Sequence, residues 1–197
     1  MRRDPLELRR ALTRIAAQQV GYFTAAQALE VGYSYQVQWY HVRRGEWQRV
    51  GRGIYRLADW PASQHEDLVR WTLWSRGRAV VSHETALAVH DLGDVMPARV
   101  HLTVPPNFQM RAPAVVIHRG ALEPLDVEQF EGFSVTTPTR SILDAAAAGM
   151  EVDHLARTIG DALDRGLLTA HSIRAQADQF GPAAALAIER ALRQEGL

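Results

Sequence analysis

The chain has 197 residues and a formal net charge of zero, with 47% hydrophobic and 22% charged residues, as is typical of a folded protein with one or two domains. It contains no cysteine, which excludes disulfides, cysteine-ligated zinc and a cysteine nucleophile. Residues 1–60 contain ten arginines and five acidic residues, whereas residues 61–197 contain twelve arginines and seventeen acidic residues. This asymmetry predicts two domains, residues 1–60 and 61–197, with different partners.

The sequence carries no signal for a membrane and no lysine. No stretch approaches the roughly 20 apolar residues of a membrane-spanning helix, and the start MRRDPLELRR lacks the apolar region of a secretory signal. We therefore expect a cytoplasmic protein with no membrane partner. All 22 basic residues are arginine, so the chain offers no Schiff base and no catalytic lysine.

The first 45 residues predict three helices. Pro5 suits the first helical position of the first one. Each helix is preceded by a side chain that favours helix N-caps and is followed by a glycine: Asp4 and Gly21, Thr24 and Gly32, Ser34 and Gly45. The third helix runs to about Arg44.

A basic hairpin follows the third helix. The runs EWQRV and GIYRL alternate apolar and polar residues and are joined by Gly51-Arg52-Gly53, which predicts two strands and a tight turn. Three helices and a hairpin within about 60 residues are typical of a winged helix-turn-helix, in which the third helix enters the DNA major groove and the hairpin, or wing, contacts the backbone or minor groove. This predicts duplex DNA as a partner. A solvated hairpin that is basic by chance is the alternative.

The predicted DNA contacts lie on the third helix and the wing. Glutamine and arginine read adenine and guanine, and aromatic rings contact sugars or thymine methyls. A helical wheel places Val37, His41 and Val42 towards the core and leaves Trp39 or Tyr40 as either a base contact or a core residue. Ile54 and Leu57 are expected to anchor the wing. The predicted contact residues are Tyr35, Gln36, Trp39, Arg43, Arg44, Arg49, Arg52 and Arg56.

Residues 61–197 predict a mixed α/β domain that ends in helices, so the whole chain is expected to be α+β. A helix in SQHEDLVRWTLWSRG is followed by strands near Ala79–Val81, in RVHLTVP, in AVVIHRG and around Phe133–Val135. Ser82 and Thr137 are expected to cap helices. Arg140 and Asp144 are four residues apart, which predicts an exposed ion pair. From Val152 onward the pattern is helical.

The eight histidines do not predict a metal site. His83 and His90 are two helical turns apart, about 10 Å, which is too far to share one ion comfortably. His101 and His118 lie on separate strands and can be neighbours in a sheet, but single histidines on strands are more often hydrogen-bonded and half-buried. Ser82 with His83 is interpreted as a helix start rather than as a nucleophile and base, because adjacent helix residues point apart. With no phosphate-binding loop, dinucleotide fingerprint or nucleophile elbow, we expect no cofactor, no metal and no catalysis.

Six segments in order resemble the AbiEi-type antitoxins of bacterial type IV toxin–antitoxin systems: GYFTAAQALEVGYS, RRGEWQRVGRGIYRL, VSHETALAVHDLG, VHLTVP, GFSVTTPTRSILDAAA and ALDRGLLT. The resemblance covers about residues 10–170. It implies an N-terminal winged helix that binds the promoter of its own operon. It also implies a C-terminal domain that counteracts a nucleotidyltransferase-like toxin encoded beside it, by direct binding or functionally.

Three hypotheses follow. The chain is an antitoxin and autorepressor, or a winged-helix regulator whose C-terminal domain senses a ligand or dimerises, or an enzyme that acts on nucleic acid. A neighbouring nucleotidyltransferase gene favours the first, a small molecule that shifts the melting temperature favours the second, and metal-dependent turnover of nucleic acid favours the third. The sequence predicts neither the operator nor the oligomeric state.

Overall fold

The computed structural model describes residues 4–196 of the chain. Arg2 and Arg3, which contribute to the N-terminal excess of arginine, lie outside the described residues. No helix within the described part of the chain is long and apolar enough to cross a membrane.

The chain divides into two compact units. The first contains the residues up to Ala79 together with Gln129–Phe133, and the second contains Val80–Glu128 and the residues from Ser134 onward. The predicted boundary at residue 60 lies inside the first unit, between the wing and the helix that follows it, and stays a prediction.

The first unit is a winged helix-turn-helix followed by a fourth helix, as the sequence predicts. Its elements are α1 (Pro5–Ala17), β1 (Tyr22–Thr24), α2 (Ala25–Val31), α3 (Tyr35–Arg43), β2 (Trp47–Gly51), β3 (Ile54–Leu57) and α4 (Glu66–Trp74). The strands form an antiparallel sheet in the order β1-β3-β2. Strand β1 was not expected from the sequence; it pairs with β3 from Tyr22 opposite Arg56 to Thr24 opposite Ile54.

Local capping explains where the first three helices begin. The Asp4 carboxylate accepts the Leu6 backbone N–H, and the Ser34 hydroxyl accepts that of Val37. Thr24 forms a reciprocal capping box with Gln27. The helices enclose a core that includes Leu12, Ala16, Phe23, Ala28, Tyr33 and Trp47.

The wing forms where the glycines predict it. Gly53 has a φ of +70°, a conformation that favours glycine. Ile54 is buried and anchors the wing as expected, whereas Leu57 is half-buried. The register between β2 and β3 shifts between Arg49 and Gly51, which marks an irregularity next to the turn.

The second unit combines a five-stranded sheet with helices. Its strands are β4 (Val80–Val81), β5 (Val100–Val104), β6 (Val115–Arg119), β7 (Val127–Phe130) and β8 (Phe133–Thr136), in the order β6-β5-β4-β8-β7. The hairpin residues Gln129–Phe133 of β7 and β8 group with the first unit. Strand β4 pairs antiparallel with β5 and parallel with β8, and β5 pairs parallel with β6.

The helices of the second unit are α5 (His83–Val89), α6 (Pro138–Ala147), α7 (Val152–Asp164), α8 (Ala170–Ala177) and α9 (Pro182–Gln194). Their apolar faces form one core that includes Leu87, Leu143, Leu155, Ile159, Ile173 and Ile188. Short 3-10 helices cover Pro124–Asp126 and Asp178–Phe180. The predicted cap at Thr137 forms, because its hydroxyl accepts the Arg140 backbone N–H.

The predicted ion pair between Arg140 and Asp144 forms, but the prediction that it is exposed was wrong. Asp144 is buried, and Arg140 bridges it to Asp126 while donating to the Ala121 carbonyl. Burial raises the pKa of the Asp144 carboxyl, and the neighbouring Arg140 opposes that rise. The pair is therefore an internal link between α6 and the segment before β7.

Candidate nucleic-acid interface

A buried glutamine sets the rotation of α3. Gln38 is 1% exposed, and its side-chain amide donates to the carbonyls of Tyr33 at 2.9 Å and Ala25 at 3.1 Å. These bonds tie α3 to the start of α2 and to the turn before α3. The prediction that Val37 faces the core was wrong, because the valine is 40% exposed and the glutamine takes the inward position. His41 and Val42 are half-buried.

This rotation exposes the predicted contact residues of the helix. Tyr35 is 67% and Trp39 60% exposed, and Gln36, Arg43 and Arg44 are exposed as well. The alternative that Trp39 is a core residue is thereby excluded. Tyr40 is 50% exposed, so the helix presents three aromatic rings to the outside.

Each of the two arginines at the end of α3 lies over an aromatic ring one turn earlier. The guanidinium carbon of Arg43 is 4.6 Å from the Trp39 ring centroid, and that of Arg44 is 5.5 Å from the Tyr40 ring centroid. Arg44 also donates to the Tyr40 hydroxyl at 2.7 Å and lies 3.0 Å from a Glu46 carboxylate oxygen. The second oxygen of Glu46 lies 2.5 Å from His41 Nδ1, and this hydrogen bond lowers the pKa of Glu46.

The wing adds two exposed arginines. Arg52 lies at the tip, and Arg49 precedes the turn, with its Nε donating to the Gly51 carbonyl at 3.4 Å. A short turn with a cation at its tip can approach phosphates closely. Both arginines have the exposure that the predicted contact requires.

Arg56 has a different environment from the other predicted contacts. It is 8% exposed, lies 3.1 Å from a Glu66 carboxylate oxygen on α4, and donates to the Pro61 carbonyl at 3.0 Å. Its position on β3 is inward, on the same side as Ile54. The structure therefore contradicts the expectation that Arg56 faces DNA and gives it the role of linking the wing to α4.

Helix α1 carries a basic face that the predicted DNA contacts do not include. Arg9, Arg10 and Arg14 are exposed on this helix and line one shallow surface with Thr13 and Ala17. The signal was available, because three arginines within six residues of a helix form a continuous basic surface.

The second unit contains a histidine cluster that the sequence only partly predicts. His101 and His118 are neighbours across β5 and β6, with Nδ1 of the first 3.2 Å from Nε2 of the second. The His83 ring stacks on that of His118 with 3.5 Å between ring centroids. Among the residues that the structure describes, no group of three histidine, cysteine, aspartate or glutamate side chains is arranged to hold a metal ion.

The interpretation of Ser82 and His83 as residues that point apart was wrong. His83 has a φ of +53°, and its Nδ1 lies 2.9 Å from the Ser82 hydroxyl oxygen. That oxygen also accepts the Thr103 hydroxyl at 2.8 Å, and Ser82 makes no side-chain cap to α5. Because Ser82 is fully buried, this arrangement is an internal hydrogen-bond network.

Burial keeps the histidine cluster neutral. Desolvation, with smaller contributions from the other imidazoles and Arg140, lowers the pKa of His83 to about 3. Desolvation and His101 lower the pKa of His118 to about 4. Desolvation also lowers the pKa of His101, although the neighbouring Glu84 carboxylate opposes this shift.

The comparisons with known proteins support the sequence resemblance and the fold. Residues 10–58, which span α1 to the wing, match the family model described as a transcriptional regulator, AbiEi antitoxin. The crystal structure of the RV2827C protein from Mycobacterium tuberculosis is similar in fold, with a TM-score of 0.58 and 14% sequence identity over 97% of this chain and 79% of that one. No curated protein matches the sequence significantly.

Proposed function

We propose that the protein represses its own type IV toxin–antitoxin operon and counteracts a nucleotidyltransferase-like toxin, and the match of residues 10–58 to the AbiEi antitoxin regulator model supports this proposal. The winged helix binds the promoter, and the C-terminal part provides the antidote function. This proposal implies that the protein acts in the cytoplasm, where a repressor has access to bacterial promoter DNA.

The observation that carries the DNA-binding proposal is the exposed cationic and aromatic surface of α3 and the wing. Seven of the eight predicted contact residues are exposed, and four of these are arginines. Such a surface supplies cations for phosphates and side chains that recognise base edges. We define it as the α3–wing surface: Tyr35, Gln36, Trp39, Arg43, Arg44, Arg49 and Arg52.

Fluorescence polarisation with the full chain tests this proposal. A labelled duplex from upstream of the protein's own gene should bind more tightly than a duplex of the same length and shuffled sequence. A double variant with Arg43→Ala and Arg52→Ala should bind the two duplexes with equal affinity. Arg190→Ala with Arg193→Ala, which removes two exposed arginines from α9, is the matched control and should retain this preference. Equal affinity for both duplexes would contradict promoter recognition.

The acidic C-terminal part supports the antidote proposal. A toxin that transfers nucleotides to nucleic acid needs a basic active surface, and residues 61–197 carry seventeen acidic residues against twelve arginines. Opposite charges accelerate the encounter of two proteins more than they deepen affinity. The charge of residues 61–197 is therefore suited to direct binding of such a toxin.

Coexpression separates the antidote function from repression. The neighbouring toxin gene is placed under an unrelated promoter, together with the full chain carrying Arg43→Ala and Arg52→Ala. Restored growth and copurification of the two proteins are the expected results. Failure of this soluble variant to restore growth, when the unmodified chain succeeds, would assign neutralisation to the DNA-binding surface instead.

A cleft in the first unit favours a second candidate function, a regulator that senses a small ligand. It has a volume of about 420 Å³ and is lined by Leu12, Trp47 and Trp60, with Arg9 and Asp59 among its polar residues. This volume lies within the range of small-molecule sites. A compound that raises the melting temperature and changes DNA affinity would support this function over the antidote.

A further inference from the structure

Two adjacent arginines at the end of α3 have different freedom to bind a ligand. The hydrogen bond to the Tyr40 hydroxyl fixes the orientation of the Arg44 side chain, and the Glu46 carboxylate pairs with its charge. Arg43 lies over the Trp39 ring, and within the described residues no carboxylate pairs with it. Among the described residues of this helix end, Arg43 is therefore the arginine whose charge no carboxylate neutralises.

Trp39 is a large apolar side chain on the surface of the protein, and such exposure indicates a binding partner. A large ring that is 60% exposed beside Tyr35, which is 67% exposed, forms an apolar strip on the outside of the helix. The strip is bordered by Arg43, and two further exposed arginines, Arg49 and Arg52, follow in the adjoining hairpin. This charge complements nucleic acid, so duplex DNA is the occupant that fits the strip.

The contact between the Trp39 ring and the Arg43 guanidinium group orients Arg43 for hydrogen bonds to guanine. A cation over an indole face is attracted to it, which restricts the guanidinium plane before binding and reduces the ordering needed on binding. Guanine presents O6 and N7 as a pair of acceptors in the major groove, and arginine matches that pair with two N–H donors. Thymine presents a methyl group there, which an apolar surface contacts favourably.

We propose that Trp39 and Arg43 act as one unit that reads a thymine next to a guanine. Arg43 donates to guanine O6 and N7, and Trp39 holds the guanidinium plane and contacts the thymine methyl. Arg44 is a positioning residue that fixes the end of α3 through Tyr40 and Glu46. This inference rests on the proposed DNA-binding function and specifies the sequence that the same surface selects.

Base analogues test the inference one atom or one methyl group at a time. Duplexes that the full chain prefers are first selected from a random pool, and we expect them to share a thymine–guanine step. Replacing that guanine by 7-deazaguanine removes the N7 acceptor, and replacing the thymine by uracil removes the methyl group. Since a bidentate contact discriminates by about 5- to 150-fold, loss of N7 should weaken binding about 5-fold or more, and loss of the methyl by a smaller factor.

Protein variants assign each effect to its residue. Arg43→Ala should bind the guanine and 7-deazaguanine duplexes equally, and Trp39→Ala should bind the thymine and uracil duplexes equally. Arg193→Ala, which removes an exposed arginine of α9 outside the α3–wing surface, is the control and should keep both preferences. Arg43→Lys keeps the charge without the planar pair of donors and should reduce the preference for guanine over 7-deazaguanine without abolishing it, because an ammonium group can still donate to N7.

The outcomes separate this inference from the function on which it rests. If the unmodified chain selects no sequence, both are wrong. If it selects a sequence but neither analogue weakens binding, or if the guanine preference depends on Arg44 rather than Arg43, the inference is overturned and promoter binding stands. Equal melting temperatures of the variants and the unmodified chain show that folding is not the cause.

Discussion

Acidification from pH 7.5 to pH 5 should destabilise the second unit through its neutral histidine cluster. Each histidine there has a folded-state pKa below its ordinary value of 6.5. The unfolded chain therefore takes up protons as the pH falls below 6.5, while the folded chain does not until the folded pKa is reached. The contribution of the neutral histidines to the free energy of unfolding is complete above pH 6.5. It is lost progressively as the pH falls towards the folded pKa values.

His83 supplies the magnitude, because it is buried and its pKa is lowered to about 3. At pH 5 the unfolded-state histidine lies about 1.5 pH units below its pKa, and each unit corresponds to about 1.4 kcal/mol, so His83 alone accounts for a loss of about 2 kcal/mol. His118 adds a smaller amount because solvent reaches it more easily. The raised pKa of Asp144 acts in the opposite direction.

Urea unfolding followed by far-UV circular dichroism measures this loss. Circular dichroism is preferred to tryptophan fluorescence because all five tryptophans lie in the first unit, whereas the histidine cluster lies in the second. His83→Gln removes the titrating ring and should reduce the difference in unfolding free energy between pH 7.5 and pH 5 by about 2 kcal/mol. A difference of the same size in the unmodified chain and in His83→Gln would refute the assignment to His83.

Four further substitutions test the roles of residues in the first unit. Arg52→Ala should weaken binding to all duplexes alike without changing stability, as gel-shift and melting measurements check, because a wing-tip arginine contacts phosphate or the minor groove. Arg56→Ala should lower the free energy of unfolding by about 2 kcal/mol in urea titrations, because it leaves the partly buried Glu66 without its cation. Gln36→Ala should reduce the base preference at one position of the DNA by about 1–3 kcal/mol in competition binding. Gln38→Ala should instead lower the free energy of unfolding, because it removes two buried hydrogen bonds.

The features that the sequence predicted well depend on neighbouring residues. The caps at Asp4, Ser34 and Thr137 form between residues two or three positions apart. The wing turn depends on two glycines that flank one arginine. Such interactions are encoded within a few positions, so pattern alone identifies the helix starts, the hairpin and the winged helix.

The rotation of α3 could not be predicted, because it is fixed by carbonyls elsewhere in the chain. Hydrophobicity favoured Val37 as the inward residue, but Gln38 is inward because the carbonyls of Ala25 and Tyr33 accept its amide protons. Strand β1 was missed for a similar reason. Its three residues are strand-like only because β3 pairs with them.

Two errors concerned single side chains. The alternation of GIYRL already places Arg56 on the side of Ile54, so the rule that successive strand residues face opposite sides predicts its burial. The positive φ of His83 has no such signal, because non-glycine residues rarely adopt it. The contact between Ser82 and His83 therefore required the structure.

The salt dependence of DNA binding tests the central claim most directly. The full chain is titrated with the duplex from upstream of its gene at a series of salt concentrations. If the arginines of the α3–wing surface and the exposed Arg9, Arg10 and Arg14 of α1 together make roughly five or six phosphate contacts, log K should fall with log salt at a slope of about −5, and Arg52→Ala should make the slope shallower by about 1. An affinity that barely changes between low and moderate salt, or a slope unaffected by Arg52→Ala, would contradict the assignment of DNA binding to this surface.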